Sequence, residues 1–273
     1  MIGAICGDVI GSVDEFNNIK SRDFELFTPE NTFTDDTVMT CAVAEALMKS
    51  WELDEFQTLE DVARDTLVDV GYWYPMAGYG RRFWNWIYRE HLPYNSSGNG
   101  SAMRISAVGN VARTFEEAKR LAHAVTVISH NHPEGIKGAE AVAVAIYMAK
   151  IAVDKEAIVK HIVDHYGYEI KSVEEYHNET DGHGKEICQI AVPQALAAFR
   201  EGTDYESVIR NCIYIGGDTD TTAAVAGGIA EEYFGVPMSI QNKARCYLDR
   251  RLRDIVDRFD VFNEMMYKEC THA

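Results

Sequence analysis

Two short segments near opposite ends of the sequence place aspartates beside threonines. Residues 33–37 read Phe-Thr-Asp-Asp-Thr, and residues 216–222 read Gly-Gly-Asp-Thr-Asp-Thr-Thr. Each opens a run with helical periodicity, and one such segment alone is most simply interpreted as an acidic first turn that complements the helix dipole. Two of them are better explained by a shared hard cation, because carboxylate and hydroxyl oxygens suit Mg²⁺, Mn²⁺ or Ca²⁺ and clustered aspartates otherwise repel one another. Glu15 is a further candidate carboxylate, shortly after the Gly-Asp-Val-Ile-Gly-Ser run of residues 7–12.

A glycine- and serine-rich segment, residues 94–104, predicts a site for an anion. It reads Tyr-Asn-Ser-Ser-Gly-Asn-Gly-Ser-Ala-Met-Arg. Gly98 and Gly100 allow the backbone to turn its N–H groups outward beside a predicted helix start, and the serines add hydroxyl donors. The segment lacks the Gly-Lys-Ser/Thr ending of a nucleotide-binding P-loop, and no strand precedes it as in a dinucleotide-binding fold. Taken alone, the segment is a weak signal, and an ordinary loop is the preferred interpretation.

Residues 129–134, Ser-His-Asn-His-Pro-Glu, form the remaining polar motif. Pro133 suits the first position of a helix. The two histidines could bind a metal, but no cysteine or further histidine accompanies them. We therefore favour a neutral histidine that donates or accepts a hydrogen bond at a binding cleft.

The elements that must position these motifs are helices. Apolar residues recur with helical spacing along most of the chain, and alternating strand-like runs bounded by hairpin turns are absent. We predict one all-α domain over residues 1–273. The predicted helices are 35–51, 54–70, 101–113, 116–128, 134–151, 155–166, 185–200, 205–214 and 219–234, with more helix towards the C-terminus.

Three stretches, 17–33, 92–100 and 167–184, resist assignment to helices. The last is long and rich in glutamate, and we interpret it as a solvated insertion in preference to a lid. Small residues recur at Gly3, Gly7 and Gly11 and again over residues 223–230. Because glycine disfavours helix by about 1 kcal/mol relative to alanine, this repetition predicts closely packed helices.

Composition and charge argue against several classes of protein. The formal net charge is −17, from 26 Lys and Arg against 43 Asp and Glu, and no basic stripe interrupts it, so a nucleic-acid partner is not expected. No apolar run is long enough to span a membrane, and the first residues lack the pattern of a signal peptide. Six scattered cysteines without CxxC spacing indicate a reducing, cytoplasmic location. If the ligand carries phosphates, bound cations and backbone N–H groups must supply the neutralising charge.

In these motifs the sequence resembles the ADP-ribosylglycohydrolase family, which includes the enzymes that release ADP-ribose from dinitrogenase reductase. The resemblance covers nearly the whole chain with the motifs in the expected order: Gly-Ala-Ile-Cys-Gly-Asp with Glu15 behind it, Thr-Asp-Asp-Thr from residue 34, the Gly98–Gly100 segment with its Met-Arg, His130, and the Asp-Thr-Asp-Thr from residue 218. It implies a single-domain orthogonal helical bundle with a central cleft for two metal ions.

The resemblance also implies roles for individual residues. Two Mg²⁺ or Mn²⁺ ions would be held by Thr34, Asp35, Asp36, Asp218, Asp220 and Thr221. Glu15 and Asp35 would be the catalytic carboxylates. The pyrophosphate and ribose would lie on Tyr94, Asn95, Ser96, Ser97, Gly98, Asn99, Gly100, Ser101 and Met103, with His130 as another ligand contact. Asp14, beside Glu15, and Thr222, where an aliphatic residue is common, depart from the pattern.

The implied activity is metal-dependent hydrolysis at the anomeric carbon, which would release ADP-ribose from a protein side chain or a small molecule by a chain that we expect to be monomeric. Two alternatives stay open: a non-catalytic protein that binds ADP-ribose or has a structural role, and a metal-dependent nucleotide pyrophosphohydrolase. The acceptor is not fixed by the sequence. The aromatic and basic stretch 72–89 could form a cleft wall for adenine or the acceptor, although amphipathic helix packing is the preferred interpretation.

Overall fold

Helices are the dominant regular structure of the described residues, as the periodicity predicts. The structure, a computed structural model, describes residues 1–52, 58–180 and 185–271. Within those ranges the only β pairing is a single bridge between Gly98 and Ile187. The helices are α1 (Ile2–Gly11), α2 (Asp35–Glu52), α3 (Leu59–Tyr72), α4 (Arg81–Asn85, followed by a π-helical turn over Trp86–Glu90), α5 (Gly100–Met103), α6 (Ser106–Val111), α7 (Phe115–Val127), α8 (Pro133–Lys150), α9 (Lys155–Tyr166), α10 (Val173–Glu179), α11 (Cys188–Glu201), α12 (Tyr205–Ile215), α13 (Thr219–Phe234), α14 (Met238–Arg245) and α15 (Arg250–Thr271).

Helices α1 and α13 lie against each other at very short range in the centre of the fold. A Cβ atom built on Gly7 would lie 2.1 Å from the carbonyl oxygen of Ala223, and one on Gly3 would lie 2.4 Å from that of Gly227. A Cβ on Gly11 would lie 2.6 Å from the Cα atom of Asp220. The predicted close packing of small residues is therefore confirmed. It has a functional consequence, because it brings the end of α1 beside the start of α13.

Helices α2 and α8 complete the interior. Their apolar residues face neighbours on nearly all sides: α2 packs on α3 and α15, and α8 packs on α6, α7 and α13. Such helices need tertiary contacts rather than an amphipathic surface pattern for their stability. The prediction of a single-domain all-α fold is confirmed.

Two predicted helices have different bounds because loops compete for their backbone. The predicted helix 101–113 is divided into α5 and α6, because the backbone leaves the helical path at Arg104 and Ile105. The side chains of both residues are buried. The predicted helix 185–200 begins only at Cys188, because the carbonyl of Glu186 accepts a hydrogen bond from the Asn99 N–H. The predicted start of the helix 54–70 falls partly on residues outside the described ranges; the described helix begins at Leu59, behind a Thr58 cap.

The prediction of a solvated insertion over residues 167–184 is wrong for residues 173–179. Residues Val173–Glu179 form a helix that packs on α11 and α12, with Val173 and Tyr176 buried. Ser172 and Glu175 form a capping box at its start. That Ser-x-x-Glu signature is visible in the sequence and predicts a helix start, but the polar composition obscured it.

No helix in the described part of the chain is both long and apolar enough to cross a membrane. The cysteines whose side chains are described, five in all, are free thiols, and four of them are buried.

Candidate active site

The two Asp-Thr segments and Glu15 meet in one cavity of about 350 Å³. The start of α2, the start of α13 and the residues after α1 contribute one set of lining groups. The 94–104 segment, the start of α4 and His130 contribute another. The lining residues are Glu15, Phe16, Asp35, Asp36, Gly78, Gly80, Arg81, Arg82, Phe83, Tyr94, Ser96, Gly98, Asn99, Gly100, Met103, Arg104, His130, Glu186, Asp218, Asp220 and Thr221.

Carboxylates from distant parts of the sequence converge in this cavity. Oxygen atoms of Glu15, Asp218 and Asp220 all lie within 4.8 Å of one another. The Thr221 hydroxyl donates to Oδ2 of Asp36 over 3.2 Å, which ties the start of α13 to the start of α2. The aspartates of the two sequence motifs therefore face one common space.

A buried aspartate on α1 holds the start of α2 in place. Oδ2 of Asp8 accepts hydrogen bonds from the backbone N–H groups of Thr34, at 3.0 Å, and Thr37, at 3.1 Å. Its Oδ1 accepts the Thr34 hydroxyl at 2.7 Å, and that hydroxyl in turn accepts the Asp36 N–H at 3.2 Å. Asp8, on α1, thus accepts hydrogen bonds from N–H groups at the start of α2 that have no partner within that helix. The dipole of α2 favours a negative charge at this position.

The side chain of Asn18 links the Glu15 segment to the loop before α13. Its Nδ2 group donates to the carbonyl oxygens of Asp14, of Glu15 at 3.2 Å and of Gly217 at 3.1 Å, and its Oδ1 accepts the Gly217 N–H. Gly216 and Gly217 have φ angles of +80° and +86°, which L-residues rarely adopt. The double glycine therefore lets the chain turn back onto Asn18 and place the following aspartates beside Glu15.

In the described part of the chain, the acidic group forms no ion pair with a basic side chain. Among the described residues, none of Glu15, Asp35, Asp36 and Asp220 lies within ion-pair distance of a Lys, Arg or His. Burial, followed by repulsion from neighbouring carboxylates, raises the pKa of Asp35, Asp36 and Asp220 well above the ordinary value. Burial and Asp218 raise the pKa of Glu15 to about 7.

The donor set fits a hard divalent cation. Oδ1 of Asp36 is buried and has no hydrogen-bond partner in the described structure, so it is free to bind a cation. Around it are carboxylate and hydroxyl oxygens, the ligands that Mg²⁺ and Mn²⁺ prefer. The one sulfur among the described lining residues is the thioether of Met103, 3.9 Å from the Thr221 hydroxyl oxygen, and a thioether is a soft ligand that these ions do not favour.

The predicted anion-binding segment lies along the same cavity, although its members have different surroundings. Tyr94, Ser96, Gly98, Asn99, Gly100 and Met103 line the cavity, whereas Asn95, Ser97 and Ser101 do not. The Ser101 hydroxyl is buried and donates to the Gly135 carbonyl at 2.8 Å. The Asn99 amide donates to Oδ2 of Asp218 at 2.6 Å, so it contacts the acidic group directly. Thr34 lies behind the wall, with its hydroxyl on Asp8.

An aromatic wall stands beside this segment. The rings of Tyr94 and His130 are 5.6 Å apart, and those of Phe83 and His130 are 5.9 Å apart. Arg82 donates to the Tyr94 carbonyl, and its guanidinium lies 4.8 Å from the centre of the Tyr94 ring. The interpretation of residues 72–89 as helix packing alone is therefore wrong for Arg81, Arg82 and Phe83, which line the cavity.

Sequence reasoning missed several lining residues. Arg81 and Arg82 lie in a stretch whose aromatic content favours packing, and Arg104 ends the glycine-rich segment at a position to which the motif gives no role. Glu186 and the 88% exposed Phe16 carry no motif-level signal. Asp8 was visible in the Gly-Asp run, but only the structure shows that it anchors a second helix.

Comparisons with known proteins agree with this geometry. The family model described as ADP-ribosylglycohydrolase matches residues 1–269. The human protein named ADP-ribosylhydrolase ARH3 is 24% identical over 325 residues, covering 90% of this chain and 88% of its own. The mouse protein of the same name is 24% identical over 311 residues, covering 86% and 83%.

A solved structure shares the fold. The chain titled "ADP-ribosylglycohydrolase-related protein complex" superimposes with a TM-score of 0.69 at 21% identity, covering 98% of this chain and 96% of its own.

Proposed function

The chain belongs to the ADP-ribosylglycohydrolase family, and from that premise we propose that it is a metal-dependent hydrolase that cleaves the bond between the anomeric carbon of ADP-ribose and its acceptor. The family and the relatives support a hydrolase that acts on ADP-ribosyl groups. The observation that carries the finer proposal is the cavity in which Glu15, both aspartate pairs and the glycine-rich segment face one another.

Two divalent cations, Mg²⁺ or Mn²⁺, would be held by Asp35, Asp36, Asp218, Asp220 and Thr221, with Thr34 supporting them from behind. When bound, such ions supply fixed positive charge, polarise substrate oxygens and lower the pKa of water. Two observations on the described residues support this assignment: the unpartnered Asp36 oxygen, and the absence of any Lys, Arg or His within ion-pair distance of the carboxylates.

The remaining residues would orient the substrate. The Gly98–Gly100 turn lines the cavity where a pyrophosphate would lie, with the N–H groups of Gly98 and Asn99 held by the Ser96 hydroxyl oxygen and the Glu186 carbonyl. Tyr94, Phe83 and His130 offer flat surfaces to a base or a sugar. The Glu15 carboxyl group, beside Asp218 and Asp220, can hold or move a proton at the anomeric centre. Asp35, at the first turn of α2, is the second carboxylate that we assign to catalysis.

Three narrower expectations accompany the proposal. We expect an ADP-ribosylated protein side chain or small molecule as substrate, a monomeric enzyme, and a cytoplasmic, reducing location consistent with the free thiols. The bond is N- or O-glycosidic according to the acceptor, which experiment must identify.

The test is a release assay over a panel of ADP-ribosylated acceptors that includes arginine-linked and serine-linked peptides. Chromatography identifies the product: intact ADP-ribose supports the proposal, and AMP would show pyrophosphate cleavage instead. Binding of ADP-ribose without release from any acceptor would indicate a non-catalytic protein.

A matched pair of variants sharpens the assay. Glu15→Gln should lower kcat by about 10²-fold or more, as expected for loss of a general acid or base. Asp14→Asn removes the adjacent carboxylate, which is buried but does not line the cavity, and should leave turnover near wild type. Equal losses in both variants would contradict the role given to Glu15.

A further inference from the structure

We propose that Arg104 and Ser129 act as positioning residues that hold His130 in the tautomer with its proton on Nε2, so that the ring presents a hydrogen-bond donor to the cavity. The hydrogen-bond chain runs from the buried Arg104 guanidinium through the buried Ser129 hydroxyl to the His130 ring. The choice of ADP-ribose as the ligand that His130 contacts rests on the proposed function, whereas the assignment of the tautomer does not.

The direction of this chain follows from what each group can donate. Nη2 of Arg104 donates to the Val125 carbonyl at 3.0 Å and to the Ser129 hydroxyl oxygen at 2.9 Å. Arginine has no acceptor, so Ser129 must accept from it. The Ser129 oxygen also lies 2.9 Å from Nδ1 of His130.

The proton of the Ser129 hydroxyl then has one destination. Ser129 is fully buried, and within residues 1–52, 58–180 and 185–268 the only acceptor at hydrogen-bond distance from its hydroxyl is Nδ1 of His130. If Nδ1 carried a proton, the hydroxyl proton would be buried without a partner, which is costly. Nδ1 is therefore the acceptor, and the single proton of a neutral ring lies on Nε2.

The ring stays neutral because of where it lies. Burial, with the nearby positive charges of Arg104 and Arg82, lowers the pKa of His130 well below its ordinary value. A protonated ring would also need to donate from Nδ1, which the Arg104–Ser129 pair opposes.

The Nε2 atom faces the glycine turn. A Cβ atom built on Gly100 would lie 3.1 Å from it, and one on Gly98 would lie 3.4 Å away. Nε2 has no hydrogen-bond partner among the residues that the structure describes, and His130 lines the cavity. A ligand atom placed against it must be an acceptor, such as a phosphate or ribose oxygen.

The surroundings of Arg104 support a positioning role. Its guanidinium is fully buried, has no carboxylate partner in the described structure and leaves Nε and Nη1 without hydrogen bonds. Its charge lies 5.5 Å from the centre of the Phe83 ring. Burying an arginine with so few partners destabilises the folded state. Its hydrogen bond to Ser129 is the interaction by which it can position His130 at the cavity.

The first test is ¹⁵N NMR of the ligand-free protein, and it needs no enzymatic activity. The signals of His130 are identified by their loss in His130→Asn. We expect a protonated Nε2 and a pyridine-like, unprotonated Nδ1. A protonated Nδ1 in the wild-type protein would overturn the proposal.

Variants then test the cause. Ser129→Ala should convert His130 into a mixture of tautomers, and Ser129→Thr, which keeps the hydroxyl, should restore the single form. Thr126→Val is the matched control, because the buried Thr126 hydroxyl one turn earlier has no hydrogen-bond partner among the described residues. An unchanged single tautomer in Ser129→Ala would show that the chain does not fix the ring.

The second test measures ADP-ribose binding by calorimetry and the KM and kcat of release. Ser129→Ala should weaken ADP-ribose binding and raise KM by roughly three- to tenfold, with kcat within about twofold, as for one misdirected hydrogen bond. An unchanged dissociation constant would refute the role of Nε2 as a ligand donor. Failure of the wild-type protein to bind ADP-ribose would instead count against the proposed function, and the NMR result would still decide the tautomer.

Discussion

Replacing Asp220 by Asn should make the metal-free protein more stable, although it removes a residue of the proposed active site. Oxygens of Asp220, Glu15 and Asp218 lie within 4.8 Å of one another, and no ion pair to a Lys, Arg or His of the described residues offsets their charge. Two full charges at that separation repel by about 3.5 kcal/mol at an effective dielectric constant of about 20. Asparagine removes this repulsion and still accepts the Thr221 N–H, which bonds Oδ1 of Asp220 at 2.8 Å.

The expected gain in stability is smaller than this Coulomb energy, because a carboxylate of the wild-type cluster can take up a proton and so lose its charge. At pH 7 that protonation costs at most about 4 kcal/mol. We expect the free energy of unfolding of metal-free Asp220→Asn to exceed that of wild type by about 1–3 kcal/mol. For a chain of this size, each kcal/mol raises Tm by about 2–4 °C. Thermal denaturation in EDTA measures the difference.

Divalent metal should make the wild-type protein more stable than Asp220→Asn, the reverse of the order expected in EDTA. A ligand at a hundred times its dissociation constant stabilises the native state by about 2.7 kcal/mol, which corresponds to a rise of about 5–10 °C in the Tm of wild type. Asp220→Asn should lose most of that rise in Mg²⁺ or Mn²⁺. Asp65→Asn, at an exposed position on α3, is the control and should change neither value.

The reasoning would be refuted if metal-free Asp220→Asn melted below metal-free wild type while gaining the same stability from Mg²⁺ or Mn²⁺. That result would mean that the carboxylates neither repel one another significantly nor hold the cation.

Three further predictions concern the fold and the cofactor. Gly7→Ala should lower the free energy of unfolding by about 1–3 kcal/mol, because the added methyl group would overlap the Ala223 carbonyl. Gly80→Ala, whose Cβ would meet no atom within 4 Å, is the control and should melt like wild type. Thermal denaturation compares the two variants. Asn18→Ala should lower kcat by about tenfold, because the segment of Glu15 loses its bonds to Gly217, and the release assay would show no such loss if this link were unimportant. EDTA should stop release and added Mg²⁺ or Mn²⁺ should restore it; turnover that persists in EDTA would exclude the metal.

The helices were predictable where local signals and packing agree. The small residues of α1 and α13 specify close contact by themselves, and α9 and α13 have the bounds that the sequence predicts. The bounds of α5, α6 and α11 were not predictable, because distant groups decide them. The helical path is interrupted between α5 and α6 at Arg104, whose side chain bonds the Val125 carbonyl. Just before Cys188, the Glu186 carbonyl accepts a hydrogen bond from the Asn99 N–H of the 94–104 segment.

The candidate site was predictable as a set of residue types but not as an arrangement. The aspartates and Glu15 could be found from motifs, because a cation requires oxygen ligands. The supports could not, since Asp8 and Asn18 act through backbone groups of segments far away in sequence. Side chains that bond to the backbone leave no spacing rule, and only folding shows what they hold.

The arginines around the cavity resolve the conflict between a net charge of −17 and an anionic ligand. Arg81, Arg82 and Arg104 line the same space as the carboxylates, so the cavity offers positive charge to a phosphate although the chain as a whole carries a net charge of −17. Such a field opposes a long polyanion, which must cross the acidic surface, more strongly than a compact diphosphate inside the cavity. The charge distribution therefore favours a single ADP-ribosyl group on a protein or small molecule over one within a nucleic acid.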